Sequence, residues 1–561
     1  MTIDNFPAKE HIRRLVYQLA RLAAAAGEIR TEHVIVLQGE HTLSRHDTDR
    51  ELPFHQEANF HYATGCLVPS ASLIVRFTAS DKTDSPSFDV KLCIPEEDAE
   101  SSMWSVPPPS LKQAKDMFDF DASELGFTGV DDQAWWGSLV NSSQDQVVHV
   151  LSTVADGSYP VMAQWMTSAF NQTSKIKVTA DHLQRAFHYA RLIKTEQEIS
   201  YIREACRITS GAHEIVMREL GKFAARRQDK AHGGASRRDG KEGLSEWEIE
   251  SEGDAEAVFV AACRRAGAGQ AYLPIVASGS RASTLHYVCN DRIFPTSRHP
   301  VDSNPSFNSP QASTSTSGRG CCGDMPSESF NDLRHGAFLP QVLLIDAGSE
   351  YRGGYASDIT RTIPIGNGGK YTEEGKTVYA IVLKMQKAAE AICKAGAHWD
   401  DLHLLCHRVL CEEFIALGIF KGSLDEMLDS GLSQAFFPHG LGHSLGLDVH
   451  DSLQLLRTEH LELPETSRRH AKLFKYLRIR RRLEENMVLT IEPGCYFSPQ
   501  LMETFGALTS PLVDRATLAR YAPVGGVRIE DVVVVRTQGC ENLTIVPREI
   551  AQIEAICSGE A

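Results

Sequence analysis

The stretch LLIDAGSEYRGGYASDITRT (residues 343–362) decides the fold of the second half of the chain. It begins as an apolar strand that ends at Asp346, continues through a Gly-Gly turn, and resumes as a strand-like run after Asp358. A hairpin across this turn would bring the two aspartates together. Two close carboxylates repel each other unless a proton or a cation lies between them. Because an aspartate before a glycine also makes ordinary turns, the pair indicates a metal site only if further ligands join it.

Three later stretches supply such ligands at the ends of short apolar runs. They are HGLGHSLGLDVHD (439–451) with His439, His443 and His450, VLTIEPG (488–494) with Glu492, and GGVRIED (525–531) with Glu530. Glycines at 440 and 442 argue against a helix, and no glutamate follows His439, so the helical zinc motif HExxH is absent. Two structural alternatives stay open at this point. The histidines can belong to a Gly-rich structural loop, and Glu530 can form a salt bridge with Arg528 on the same strand face.

Taken together, four carboxylates and one imidazole match what two divalent cations require. The charge of two dications offsets that of four carboxylates. Mostly oxygen ligands favour a hard metal, so we predict Mn²⁺, with Co²⁺, Fe²⁺ or Zn²⁺ as alternatives. A two-metal hydrolase is therefore the leading interpretation of these residues.

In this order along the chain, the motifs resemble the pita-bread metallopeptidases of the Xaa-Pro aminopeptidase and prolidase type. ELPFHQEANFHYATG (51–65) and VASGSRASTLHYVCND (276–291) extend the resemblance over nearly the whole chain. The resemblance implies an α+β fold class. An N-terminal α/β domain, similar to that of aminopeptidase P, is expected at 1–185, and a C-terminal pita-bread (creatinase/aminopeptidase-like) catalytic domain at 186–557.

The resemblance also implies roles for individual residues. Two metal ions, expected to be Mn²⁺, would be bound by Asp346, Asp358, His443, Glu492 and Glu530, with Asp358 and Glu530 bridging them. Substrate contact or proton transfer would fall to His286, His439, His450 and Arg528, and Thr360 would lie beside the metals. Glu492 is in addition the predicted general base, and His450 the predicted stabiliser of the oxyanion.

The function implied is hydrolysis of the N-terminal Xaa-Pro bond of peptides, which releases the first residue. An Xaa-Pro dipeptidase (prolidase) is the nearer alternative, because the motifs do not separate the two activities. A non-catalytic pita-bread binding protein, or a creatinase-like enzyme, is the remote one, because such proteins have lost ligands that are all present here. The expected partners are peptides with proline in second position, and the resemblance favours a homodimer.

Composition excludes other classes of partner. The 561 residues carry a formal net charge of −16, which argues against nucleic acid and anionic membranes. The 13 cysteines are scattered without a framework spacing, which is typical of a reducing compartment. No apolar run approaches the length of a membrane span. We therefore predict a cytoplasmic protein.

Some local features also lead to predictions. Residues 224–243 and 295–335 are polar and rich in Gly, Ser or Pro, which predicts disordered insertions. Residues 51–65 are predicted to form a strand and loop, and the basic run RIRRR (478–482) a solvated strand edge. Asn486 stands where the family usually has glycine, and asparagine also tolerates a left-handed backbone.

Overall fold

The structure is a computed structural model, and its two compact units are Met1–Ile193 and Lys194–Ala561. The first unit ends at Ile193, whereas the sequence predicted a domain boundary near residue 185. The described residues are 6–28, 31–78, 86–140, 145–153, 157–160, 175–228, 248–297, 337–452 and 463–561. The predicted disordered insertions lie outside these residues except at their edges.

The first unit is built on a six-stranded mixed sheet. Its strands are β1 Glu32–Gln38, β2 Ser72–Thr78, β3 Phe88–Ile94, β4 Leu125–Phe127, β5 Gln146–His149 and β6 Ile176–Thr179. The spatial order is β4-β3-β2-β1-β5-β6, with β1–β2 and β2–β3 antiparallel and the other pairs parallel. Its helices are α1 Ala8–Ala25, α2 Ala58–Thr64, α3 Leu111–Met117, α4 Asp131–Val140 and α5 Leu183–Leu192.

Residues 51–65 contain helix α2, so the predicted strand and loop were wrong here. The helix begins at a side-chain cap, where the Glu57 carboxylate accepts the N–H of Phe60 at 2.7 Å, and it ends at Gly65 with φ 64°. Six of its seven residues are buried. A helix that is buried all round has no amphipathic pattern, and this is why the sequence did not indicate it.

The second unit combines small antiparallel sheets with longer helices. Its strands are β7 Gly269–Gln270, β8 Ile275–Ser278, β9 Gln341–Ala347, β10 Ser349–Tyr351, β11 Tyr355–Ala356, β12 Ile359–Ile365, β13 Val488–Ile491, β14 Gly494–Tyr496, β15 Gly526–Arg528, β16 Asp531–Arg536 and β17 Gly539–Asn542. They form the sheets β12-β9-β8, β11-β10-β7, β13-β16-β17 and β14-β15.

Helices surround these sheets. They are α6 Glu196–Gln228, α7 Glu252–Arg265, α8 Glu373–Ile392, α9 Trp399–Ala416, α10 Leu424–Ser430, α11 Glu465–Arg469, α12 Pro499–Thr504, α13 Arg515–Tyr521 and α14 Ile550–Cys557. None of the described helices combines the length and the apolar character that a membrane crossing requires.

Strand β9 is the centre of the sheet that carries the first two aspartates. It lies between β8 and β12, and six of its seven residues are buried, which explains its continuous apolar run. The predicted hairpin is confirmed, because β9 pairs antiparallel with β12 and Asp346 lies opposite Thr360. A Cβ on Gly348 would lie 1.8 Å from the carbonyl oxygen of Ser357, so only glycine allows this close return of the chain.

Candidate metal centre

Asp346 and Asp358 meet at the end of this hairpin. Asp346 is the sixth residue of β9, and Asp358 directly precedes β12. The hydroxyl of Tyr272 donates to Asp346 Oδ1 at 2.6 Å and also lies within hydrogen-bond reach of Asp358 Oδ1. One hydroxyl proton cannot neutralise two carboxylates, so the pair retains negative charge that needs a further partner.

The loop that carries His443 is held against the end of β13. The N–H of His443 donates to Thr490 Oγ1 at 3.1 Å, and the N–H of Thr490 donates to the carbonyl of His443 at 2.9 Å. A Cβ on Gly442 would lie 2.0 Å from the Thr490 carbonyl oxygen. The glycine therefore permits the backbone contact that fixes the position of His443.

The imidazole of His443 points its second nitrogen at two carboxylates. Nδ1 lies 3.2 Å from the carbonyl oxygen of Ser444, and this contact assigns the ring proton to Nδ1. Nε2 lies 3.3 Å from Asp358 Oδ2 and 3.6 Å from Glu492 Oε1. A lone pair facing two carboxylate oxygens is repulsive unless a proton or a cation lies between them.

Glu492 and Glu530 complete the cluster. Glu492 follows β13, and its N–H donates to the carbonyl of Leu441 at 2.8 Å. Glu530 lies in the break between β15 and β16. Its Oε2 accepts the Thr360 hydroxyl at 2.7 Å, while its buried Oε1 has no hydrogen-bond partner within the described part of the chain.

Arg528 connects Asp346 to the neighbouring hydroxyl groups. Its Nη2 lies 2.5 Å from Asp346 Oδ2, its Nη1 3.0 Å from the Tyr496 hydroxyl and its Nε 3.1 Å from Thr360 Oγ1. The ion pair of Arg528 is thus with Asp346, and the alternative of a salt bridge with Glu530 is not what the structure has.

Both ring nitrogens of His439 are engaged by protein groups. Nδ1 lies 2.8 Å from the carbonyl oxygen of Gly440, and Nε2 lies 2.8 Å from the Tyr496 hydroxyl. Burial and the positive charge of Arg528 lower the pKa of His439 to about 3. The residue is therefore neutral and connects through Tyr496 to Arg528.

One cavity of about 640 Å³ collects the predicted residues. Its lining includes Asp346, Asp358, His443, Glu492, Glu530, His286, His439, His450 and Arg528. The ring of His450 packs edge-on against that of His443, with 4.5 Å between centroids. His286 and His450 are exposed side chains that line the cavity, so they are accessible to a ligand.

Burial and mutual repulsion disfavour the ionised form of three carboxyl groups in the cluster. Burial, followed by the charge of Asp346, raises the pKa of Asp358 well above its usual range. Burial and Glu530 do the same to the pKa of Glu492, and burial and Asp358 to that of Glu530. Burial lowers the pKa of His443 to about 4, which keeps its Nε2 free of a proton.

These groups fit divalent cations. Asp358, His443 and Glu530 each offer a ligand atom within 4.8 Å of one another. The unpartnered Glu530 Oε1 and the His443 Nε2 that faces carboxylates are atoms that a cation would satisfy. The set of carboxylate oxygens with one imidazole nitrogen suits a hard or borderline metal.

The sequence did not indicate two residues of this site. Tyr272 contacts both aspartates, and a lone tyrosine has no motif that would have identified it. Arg478 lines the cavity, so the prediction that residues 478–482 form a solvated strand edge was wrong for this residue, whereas Arg482 is exposed and pairs in an antiparallel bridge with His398. Arg480 of the same run pairs at 2.7 Å with Asp400, which is fully buried.

Comparison with known proteins identifies the family. Residues 200–537 match the model of metallopeptidase family M24, and residues 11–126 match the aminopeptidase P N-terminal domain. The chain is 32% identical over 563 residues to a probable Xaa-Pro aminopeptidase of Talaromyces marneffei, with 99% of this chain and 98% of that protein covered. It is 33% identical over 559 residues to a probable Xaa-Pro aminopeptidase of Aspergillus niger, with coverage of 99% and 98%.

Solved structures share the fold over the same length. A variant of Escherichia coli aminopeptidase P in complex with substrate matches with a TM-score of 0.67 and 23% identity, and 99% of each chain is covered. Pseudomonas aeruginosa aminopeptidase PepP matches with a TM-score of 0.65 and 26% identity, with 99% of this chain and 98% of that chain covered. The predicted fold class is confirmed, with an aminopeptidase P N-terminal domain before a pita-bread domain. The chain belongs to the Xaa-Pro aminopeptidase group of metallopeptidase family M24.

Proposed function

We propose that this protein is a two-metal aminopeptidase that hydrolyses the N-terminal Xaa-Pro bond of peptides. The observation that carries the proposal is the convergence of five side chains, distant in sequence, on one cavity: Asp346, Asp358, His443, Glu492 and Glu530. Full-length relatives named as probable Xaa-Pro aminopeptidases support the substrate class.

Asp346, Asp358, His443, Glu492 and Glu530 would hold two divalent ions. Manganese is the proposed metal, because four of the five ligands are carboxylates. When bound, such ions lower the pKa of water and polarise a peptide carbonyl. The charge of two divalent cations would offset that of the four carboxylates.

The chain's own residues supply proton transfer and orientation. Glu492 is the least buried of the proposed acids, with an 18% exposed side chain, and it can accept a proton from the cavity as general base. We assign to His450, which lies beside His443, the hydrogen bond that is donated to the oxygen of the scissile carbonyl. Both ring nitrogens of His439 have protein partners, so we assign to His439 the role of orienting Tyr496. We assign to His286 or His450 the transfer of a proton to the leaving nitrogen.

Proline explains why recognition must come from a shaped cavity. A proline in second position has no backbone N–H, so its peptide bond cannot be aligned by strand-like hydrogen bonds. The cavity walls offer apolar groups for a ring, among them Leu285, Leu501 and Phe505. The carboxylates that line the cavity, such as Glu492, can bind the free amino end of the peptide.

An Xaa-Pro dipeptidase is a second candidate, and Arg478 is the observation that favours it. Arg478 lines the cavity, and its buried Nη1 has no hydrogen-bond partner among the described residues. A guanidinium in this position suits the carboxylate of a dipeptide. Arg478→Met would then reduce dipeptide hydrolysis much more than tripeptide hydrolysis.

The test compares three substrates on the manganese-loaded protein: an Xaa-Pro dipeptide, an Xaa-Pro tripeptide and the matching Xaa-Ala tripeptide. We expect the Xaa-Pro tripeptide to be cleaved after its first residue and the Xaa-Ala tripeptide to be left intact. Cleavage of the dipeptide alone would establish a prolidase. Metal analysis of the purified protein identifies the ions, and absence of any cleavage would end the proposal.

We also propose a cytoplasmic location. All the cysteines among the described residues are free thiols, and most of them are buried. Such cysteine usage is typical of a reducing compartment.

A further inference from the structure

A buried ion pair lies behind the loop that carries the histidines. Lys194 Nζ is 2.7 Å from Asp451 Oδ2, and each side chain is only 1% exposed. Asp451 directly follows His450 and is eight residues after His443. Removing water from both charges is costly, so such a pair stabilises little and is better explained by what it holds in place.

The backbone of the histidine loop passes close to this pair at Gly446. A Cβ on Gly446 would lie 2.4 Å from Asp451 Oδ2 and 3.0 Å from Lys194 Cε, so the chain passes the pair where only glycine fits. The carbonyl of Gly446 accepts the N–H of Ala356 at 2.9 Å, two residues before Asp358. Gly446 therefore contacts both the ion pair and the aspartate hairpin.

A shared acceptor connects the pair to the imidazole. The N–H of Asp451 donates to the carbonyl of Ser444 at 2.9 Å, and His443 Nδ1 donates to the same oxygen at 3.2 Å. The Ser444 carbonyl thus fixes which nitrogen of His443 carries the proton. Residues that orient a metal-binding histidine through its other nitrogen control metal affinity by one to two orders of magnitude.

We propose that Lys194 and Asp451 are positioning residues, which hold His443 and His450 in the geometry that the metal centre needs. The ion pair with Lys194 fixes the position of Asp451. Asp451 in turn holds the loop from Ser444 to His450 against the aspartate hairpin. This inference rests on the proposed function for the role of the histidines. Its primary readout is metal binding, which does not depend on any peptide being cleaved.

The test measures Mn²⁺ affinity by titration calorimetry, together with kcat, KM and the melting temperature, for Asp451→Asn, Lys194→Met and the double variant Lys194→Met/Asp451→Leu. We expect each single variant to bind Mn²⁺ roughly ten- to a hundredfold more weakly. We also expect kcat to fall at least about tenfold, with KM nearly unchanged, because substrate contacts are retained. The apolar double variant should recover the melting temperature but not the Mn²⁺ affinity.

Asp400→Asn is the control, because Asp400 is fully buried in another ion pair, at 2.7 Å from the partly buried Arg480, and neither residue lines the cavity. This variant should lose stability and keep its Mn²⁺ affinity. Wild-type affinity and kcat in the double variant would overturn the inference and make the pair a stabiliser only. A wild-type protein that binds Mn²⁺ without cleaving Xaa-Pro peptides would instead refute the proposed function and leave the affinity test intact.

Discussion

Both units bury histidines with depressed basicity, and the two environments differ in what the rings face. In the first unit, burial lowers the pKa of His61 and of His149 to about 3. His149 Nε2 contacts His33 Nδ1 at 2.9 Å, and His61 packs edge-on against Phe6. In the second unit, the Nε2 of His443 faces two carboxylates across the cavity.

The difference shows that a shifted pKa alone does not mark a functional site. Both kinds of histidine are neutral because they are buried. His443 differs in lining a cavity together with carboxylates whose pKa values are raised, among them Glu492 and Glu530. Convergence of unsatisfied groups on a cavity, rather than burial, separates the candidate centre from the core.

The largest difference between the units should appear when a histidine is removed from each. We expect His443→Ala to reduce Xaa-Pro hydrolysis at least about a hundredfold in a folded protein. His61→Ala should cost about 2–5 kcal/mol of stability, as other large-to-small core changes do, and leave kcat near the wild-type value. Steady-state kinetics and urea unfolding of the two variants measure these effects. Near-normal turnover in His443→Ala would remove the functional distinction.

Metal removal should separate the units by stability. A bound ion at about a hundred times its dissociation constant stabilises the folded state by about 2.7 kcal/mol. We therefore expect chelation to speed hydrogen exchange of amides in β9, β12 and β13 and to leave β1 and β2 unchanged. Exchange followed by mass spectrometry, with and without added Mn²⁺, measures this. Equal acceleration in both units would mean that chelation acts on the whole chain.

Acid should affect the first unit through its histidines. The pKa of His61 in the folded state is about 3, below the value near 6.5 of an ordinary histidine, so the unfolded chain takes up the proton first. The contribution of a neutral buried histidine to the free energy of unfolding is complete above about pH 6.5 and is lost as the pH falls towards 3. The loss is at most about 1.4 kcal/mol per pH unit for each such histidine.

His61→Leu should reduce the dependence of the free energy of unfolding on pH by the contribution of one histidine. Amide exchange of β1 and β2 between pH 7 and pH 5, corrected for intrinsic rates, measures the slope. An unchanged slope in the variant would mean that other groups take up the protons.

The sequence predicted features that depend on neighbouring residues better than features that depend on residues far apart in the chain. Most of β9 followed from a local apolar run, because its burial is recorded in consecutive residues. The left-handed conformation predicted as tolerable at Asn486 is confirmed, with φ 66°. From the residues alone, only the meeting of Asp346 and Asp358 was argued geometrically, and the complete ligand set came from resemblance to a family.

Features that depend on distant partners were missed. Arg480 looked solvated because its partner Asp400 lies 80 residues away. Tyr272 reaches aspartates 74 and 86 residues further along the chain. Spacing along a sequence does not record such contacts, whereas hairpin contacts are close in the chain.

The smallest effects expected concern one left-handed residue in each unit, Ser70 with φ 60° and Asn486 with φ 66°. Ser70 is exposed, so Ser70→Gly removes backbone strain of about 1–2 kcal/mol, partly offset by the roughly 0.5–1 kcal/mol entropy cost of glycine. Asn486→Gly also loses the 2.6 Å bond from Arg536 Nη1 to Asn486 Oδ1. Because asparagine tolerates this conformation better than serine does, the two substitutions should change the urea midpoint in opposite directions, upward for Ser70→Gly and downward for Asn486→Gly. Equal stabilisation by both would show that the side chain of Asn486 contributes nothing beyond its backbone conformation.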